Sequence, residues 1–395
     1  MKQQTSRYVE EIGGMEMVQI RRLTGVEIQE AVRLSDATFR DGNQTSMGQL
    51  FPFLFSDAAL HLSYGAFEED GKLVSFMGVV LWTIRIGEAA LRVASLGSVC
   101  TEPSARGKGY ASRLLEQVQQ FTRDAGASLL LVSGDRSLYT RAGCKLFGRI
   151  SKYRMDALQA ESLLGGSEVK GKIREMRTDD LFAVQEAAET REVRYQLGIN
   201  EFGTLLKAEA IASVMRMSQR VLVQESDGKV ISFAVIGVTS DTQSNGAVLD
   251  YAGDSVQVVR LFADAVNRYG LQSLEIPIPW HEKSIHEGLS AIPSAEEGQP
   301  GTVLILSGEA LIDQLSPWLE KQETANGLRL NRQENGSWEL SDSTGRPSAS
   351  LSDEELIRLL FDRIGTDAVQ LPAEAQAYQE LFPVPLPYTA GLCFV

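Results

Sequence analysis

Histidine and cysteine are the scarcest of the chemically versatile residues in this chain, with three of each in 395. His281 and His286 stand five apart, off the i, i+4 spacing of helical metal ligands. With His61 too isolated in sequence to join them, a solvated or capping role is expected of the pair, and no metal. Cys100, Cys144 and Cys393 are odd in number and scattered. They form neither a disulfide framework nor a zinc spacing, which points to a reducing, cytoplasmic setting. Long apolar runs are also missing. The longest, Leu73 to Ile86, is broken by Ser75 and Thr83 and falls short of the ~20 residues that span a bilayer. No signal peptide is read in the polar lead from Met1 to Gly14, and Met15 or Met17 are alternative starts. Basic residues are outnumbered, 38 against 52 acidic, for a formal net charge of −14. That balance argues against nucleic acid or an anionic membrane as partner and tolerates a cationic substrate. What remains is ordinary for a soluble globular protein: 43% hydrophobic and 23% charged residues, long enough for two or three domains.

The most informative stretch runs from Val93 to Gly148. Val93 to Thr101 is apolar and β-prone, and Pro103, which cannot donate to a ladder, ends it. A glycine-rich turn follows, Arg106-Gly107-Lys108-Gly109-Tyr110-Ala111-Ser112. Then Ala111, Leu114, Leu115, Val118 and Phe121 recur at spacings of three and four, one face of a helix that Gly126 is placed to end. Ser128 to Val132 reads as a short buried strand, and a brief segment carrying Tyr139 comes next. A helix that begins in glycines offers unpaired N–H groups and the positive end of its dipole, and small residues let a pyrophosphate approach them. The amides from Arg106 through Ser112 are the expected donors. The turn is not a P-loop, because no Gly-Lys-Ser/Thr follows four spacer residues. A dinucleotide fingerprint would need glycine where Ser112 stands and a strand early in the chain.

Arg106, Gly109 and Ala111 match the Gln/Arg-x-x-Gly-x-Gly/Ala motif, flanked by Pro103 upstream and Tyr139-Thr140-Arg141-Ala142-Gly143 downstream. On these residues the chain resembles the GNAT superfamily of N-acetyltransferases. The resemblance implies an acetyl-CoA site at the turn. Val99, Cys100 and Thr101 would lie on the splayed strand that receives pantetheine and the acetyl oxygen, and Tyr139 would be the general acid for the leaving thiolate. Cys100 itself has no histidine near it in sequence and reads as a packed strand thiol. The stretches Phe39 to Gln44 and Leu50 to Phe55 fall where the superfamily places substrate-facing elements; plain core packing explains their phenylalanines equally.

Four antiparallel strands are expected before the turn, with Phe147 to Met155 adding a closing strand. After a Gly/Ser linker around Leu164 to Ser167 the order repeats: strand, helix, hairpin, strand, helix at Val256 to Tyr269, and strand at Ser273 to Ile278. At the turn of this second half stands Gly253-Asp254-Ser255, without the motif and with a carboxylate that would repel phosphate. This half is read as a degenerate copy that does not bind CoA. One more strand, Gly301 to Leu306, opens a small tail unit with two helices and a hairpin around Asn335-Gly336. The whole chain resembles the enhanced intracellular survival family of N-acetyltransferases. That resemblance implies an α+β fold of two tandem GNAT-like mixed-sheet domains, at 1–160 and 170–300, and a sterol carrier protein-like domain at 301–395. It also implies oligomers, hexamers in that family.

The expected activity is acetyl transfer from acetyl-CoA to a primary amine of a small acceptor by direct attack, cationic acceptors such as an aminoglycoside or polyamine included. The alternative is an inactive GNAT-fold module that holds CoA or an apolar ligand. The family resemblance assigns the base to the terminal carboxylate, here Val395, approached through Leu392-Cys393-Phe394 after a permissive Gly391. An α-carboxyl has a pKa of ~3.3–3.7, and burial would raise it toward a useful base. The competing reading is that this apolar end simply covers an apolar patch.

Overall fold

A computed structural model describes residues 18–165, 171–239, 244–322, 327–362 and 371–395. The expectations for the lead Met1 to Gly14, the starts at Met15 and Met17, and linker residues Gly166 and Ser167 lie outside them. Leu164 and Gly165 end a helix, Ala157–Gly165.

The first half supplies β1 (Gln19–Arg22), β2 (Tyr64–Phe67), β3 (Leu73–Ile86), β4 (Ala89–Thr101) and β5 (Leu129–Val132). They pair in chain order, antiparallel except for β4 with β5, which run parallel. The right-handed crossover expected of such a pair is made by the helix Tyr110–Asp124, whose Leu114, Leu115 and Val118 are buried against the sheet. Leu129 to Val132, fully buried, is the continuous apolar strand that a position covered on both faces requires.

The next strand does not stay with its own half. β6 (Arg149–Met155) crosses into a second sheet, pairing with β12 (Ser273–Pro279) on one side and β13 (Ser294–Gly298) on the other. The rest of that sheet is β11 (Asn245–Gly253), β10 (Lys229–Val238), β9 (Ser218–Ser226) and β7 (Lys172–Glu175). In return β14 (Thr302–Ile305) pairs antiparallel with β5 and closes the first sheet, and β8 (Val193–Tyr195) pairs with β3. Each half therefore completes the other's sheet. The closing strand Phe147 to Met155 and the strand Gly301 to Leu306 both form, but the first joins the second sheet, and the other joins the first sheet and not the tail unit it was expected to open. Periodicity specifies that a run is a buried strand; partner choice depends on which apolar edges meet in three dimensions.

The tail unit is a three-stranded antiparallel sheet of β15 (Arg329–Arg332), β16 (Trp338–Ser341) and β17 (Ala349–Leu351). Ser352 caps its helix Asp353–Phe361 through a capping box with Glu355. The helix Gly308–Leu319, capped by Ser307, buries Leu311 and Leu315 and ties the tail unit to the first sheet, where Gln314 accepts from the Arg92 backbone at 2.8 Å.

Candidate active site

The parallel pairing of β4 and β5 begins at Val93 with Leu129 and stops at Leu96 with Val132. Beyond it the strands part. β4 carries an irregularity here, between the pairs Phe76–Cys100 and Gly78–Gly97, and Ser98 takes a left-handed φ of 50°. A bulge of this kind turns the strand away from its neighbour. A cleft of about 270 Å³, open at its mouth, occupies the gap. Gly97, Ser98 and Val99 line one side; Ser133, Gly134 and Tyr139 line the other.

On the outer side of the gap the glycine turn leads into the helix Tyr110–Asp124. Gly107 and Gly109 both have a φ of +79°, where a Cβ would be strained, and a Cβ at either would meet nothing within 4 Å. Gly109 is the N-cap and makes no side-chain cap hydrogen bond. The first return bond is Arg113 N–H to the Gly109 carbonyl at 3.2 Å, so Tyr110, Ala111 and Ser112 hold the first-turn amides that lack an intrahelical acceptor. One of the expected donors drops out: the Arg106 amide donates to Pro103 at 3.4 Å, and its Nε donates to the Thr101 carbonyl at 3.2 Å, tying the turn to the end of β4. Arg106 to Gly109 are all exposed. An uncovered helix terminus with two glycines fits a pyrophosphate.

Tyr139 sits in the short helix Ser137–Arg141, 6% exposed, with its ring edge on the cleft. Burial pushes its phenol up to about 12, with Arg136 nearby pulling in the opposite direction. It stays protonated at neutral pH, the state an acid needs. Cys100 faces away from the cleft, its Sγ 3.8 Å from Ser35 Oγ in the core, and burial pushes its thiol to about 12. That is a packed thiol. Thr101 shares a 2.8 Å hydrogen bond with Ser75 Oγ.

The chain terminus reaches this cleft. Phe394 and Val395 line it, and Val395 is 8% exposed. Gly97 is what admits it: a Cβ there would stand 2.3 Å from the Val395 carboxyl carbon and 2.7 Å from its oxygen. The tail arrives by way of the second sheet. β11 and β12 pair only from Asn245 with Ser273 to Ala247 with Glu275, and Gly391 crosses the part of β11 beyond, where a Cβ would be 2.8 Å from the Leu249 carbonyl. Gln299 holds the tail through Pro387 at 3.1 Å and Thr389 at 3.2 Å. The opening in the second sheet thus guides the tail to the opening in the first.

The turn of the second half is filled by its own chain. Asp254 caps the helix Ser255–Arg268, accepting from the Gln257 amide at 3.0 Å, so a carboxylate occupies the helix end that is bare in the first half. His281 and His286 are both half-buried. His286 is held between Tyr153 Oη at 2.8 Å and the Pro279 carbonyl at 3.0 Å. Burial pushes His281 down to about 4, leaving a neutral imidazole. Among the described residues no cluster of His, Cys, Asp or Glu has the makings of a metal site.

Several lining residues carry no motif. Phe39, Arg40 and Phe51 come from the stretches that were ambiguous between core and substrate-facing roles, and Met47 lies between them; here Phe39 and Phe51 line the cleft, while Leu54 and Phe55 are core. Val214, from the second half, completes the wall. The one local signal was Gly97 inside a strand pattern, which marks a bulge or a close backbone approach.

Residues 19–147 match the family model of the acetyltransferase (GNAT) domain. No curated protein matches the sequence. Among solved structures the chain is similar to Eis1 from Mycobacterium abscessus, at 13% identity and a TM-score of 0.63, covering 94% of this chain and 99% of that one. It is also similar to GCN5-related N-acetyltransferases from Kribbella flavida (15%, TM-score 0.59, 87% and 88% covered) and from Anabaena variabilis (11%, TM-score 0.56, 87% and 89% covered). Residues 19–147 thus form an acetyltransferase (GNAT) domain, and over nearly its whole length the chain has a fold similar to that of Eis1.

Proposed function

We propose that the protein transfers the acetyl group of acetyl-CoA to the primary amine of a small acceptor by direct attack. Tyr139 is the acid and the Val395 carboxylate the base. The amine nitrogen bonds to the thioester carbonyl carbon and the C–S bond breaks. The carboxylate takes the proton shed by nitrogen, the Tyr139 phenol gives its proton to the departing thiolate, and solvent restores both groups. Pyrophosphate would be held by the amides from Gly107 to Ser112. The observation that carries this reading is the convergence of two opposite proton carriers, the buried phenol and the chain-terminal carboxylate, on one cleft at the parting of β4 and β5. An inactive CoA-holding module has no use for that pair.

The test is CoA release against an amine panel, with the wild type beside a variant extended by a few residues after Val395 and beside Val395→Ala. The extension is expected to abolish transfer while acetyl-CoA affinity holds, and Val395→Ala, which keeps a carboxylate in place, to be tolerated. An extended protein that acetylates amines as fast as the wild type would remove the carboxylate from the mechanism.

A further inference from the structure

The net charge of −14 does not extend into the cleft. Among the described residues that line it, the charged side chains are Arg40 and Arg136, and the terminal carboxylate is the one anion. Arg40 is the better placed of the two. Its Nη2 donates to Ser213 Oγ at 3.0 Å and its Nη1 to the Ser213 carbonyl at 3.5 Å, with the guanidinium 5.8 Å from the centre of the Phe51 ring. These neutral partners orient the cation without neutralising it, and its buried Nε has no partner among the described residues. The acids close by are already engaged. Asp36 accepts from Ser46 Oγ at 2.6 Å and the Met47 amide at 2.7 Å, and Asp41 pairs with Arg216 at 2.9 Å; neither lines the cleft. Burial works against the charge of Arg40, with Asp36 and Asp41 pulling the other way. A guanidinium in this state gains most from a carboxylate that enters the site.

The remaining lining is apolar. Met47, Phe51 and Phe394 form the wall, and Phe39 and Val214 stand 39% and 50% exposed at the rim, as apolar side chains do where a ligand covers them. Resting on the acetyltransferase reading above, we infer that the acceptor is an amine with an apolar body that also bears a carboxylate, as in an aromatic amino acid, held by Arg40 with Arg136 at the mouth. A polyamine or aminoglycoside would have to bring several positive charges past two arginines to reach a single carboxylate.

The test compares kcat/KM for L-phenylalanine, for phenethylamine, which differs only by lacking the carboxylate, and for spermidine. The wild type is expected to prefer phenylalanine over phenethylamine by about tenfold or more, and over spermidine by more still. In Arg40→Met the first preference should fall to within about twofold, with Arg40→Lys recovering part of it. Because Arg40 also bridges to Ser213, exposed Arg136→Ala provides a second variant, expected to narrow the preference without loss of fold. Phenethylamine or spermidine used by the wild type as well as phenylalanine would overturn the inference and leave the acetyltransferase reading standing. Acetyl-CoA that fails to bind, or binds and acetylates no amine, would overturn both.

Discussion

Gly97→Ala isolates the role of the chain terminus with one methyl group. The new Cβ would sit 2.3 Å from the Val395 carboxyl carbon, and the three atoms nearest to it all belong to Val395. Gly97 is outside the left-handed region, so the backbone accepts alanine and the strain falls on the tail alone. An ordinary contact needs ~3.5 Å, so the carboxylate must retreat by about 1.2 Å, the difference between the two distances. A displacement of ~1 Å can cost about 100-fold, and outright loss of a general base costs ~10²–10⁴-fold. Turnover is therefore expected to drop at least about 100-fold. The cost in stability is bounded by uncovering Val395, about 1.5–3 kcal/mol. Turnover is read by thiol release at saturating amine, acetyl-CoA affinity by calorimetry, and fold by thermal melting. A second arm combines Gly97→Ala with a C-terminal extension. Both act on one carboxylate, so the double variant should be no slower than the slower single one. Unchanged turnover in Gly97→Ala, or full additivity in the double variant, refutes the assignment of the base.

Tyr139→Phe should lower turnover more than ~10-fold with little change in acetyl-CoA affinity, because the loss lies in protonating the leaving thiolate. The acid works only while protonated, and with its phenol near 12 it remains so where an ordinary tyrosine is half ionised, at ~10. The wild-type rate should therefore not fall between about pH 8 and pH 10.5 on its account, and an alkaline limb centred at 10 that vanishes in Tyr139→Phe would contradict this environment. Gly109→Glu should abolish acetyl-CoA binding, since a carboxylate would replace the pyrophosphate at the bare helix end in a backbone conformation that disfavours side chains. Stoichiometry in the wild type should be one per chain, because Asp254 already caps the corresponding helix; a titration ending at two would show that the second half binds as well. Gly253→Glu is no control for this, since a Cβ there meets the Ile231 carbonyl at 2.2 Å and would damage the second sheet.

Sequence by itself determined the local machinery of the first half. Pro103, the glycines of the turn, the spacing of Leu114, Leu115 and Val118, and Tyr139 all act over short range: a backbone conformation, a helix face, a strand end. In the second half the sequence showed Asp254 only as a carboxylate unfavourable to phosphate; that it caps the helix is seen in the structure. Tertiary structure alone decided three things. It decided which sheet each strand joined, because nothing within the short runs β6, β8 and β14 says which sheet edge is bare. It decided the wall of the cleft, because Arg40, Phe51, Val214 and Phe394 converge from segments that share no pattern. And it decided that Val395 lines the same cleft as Tyr139. Gly391 read in sequence as a point where the tail could pass close to other backbone, but only the tertiary structure shows that it passes Leu249 and that Gly97 admits Val395.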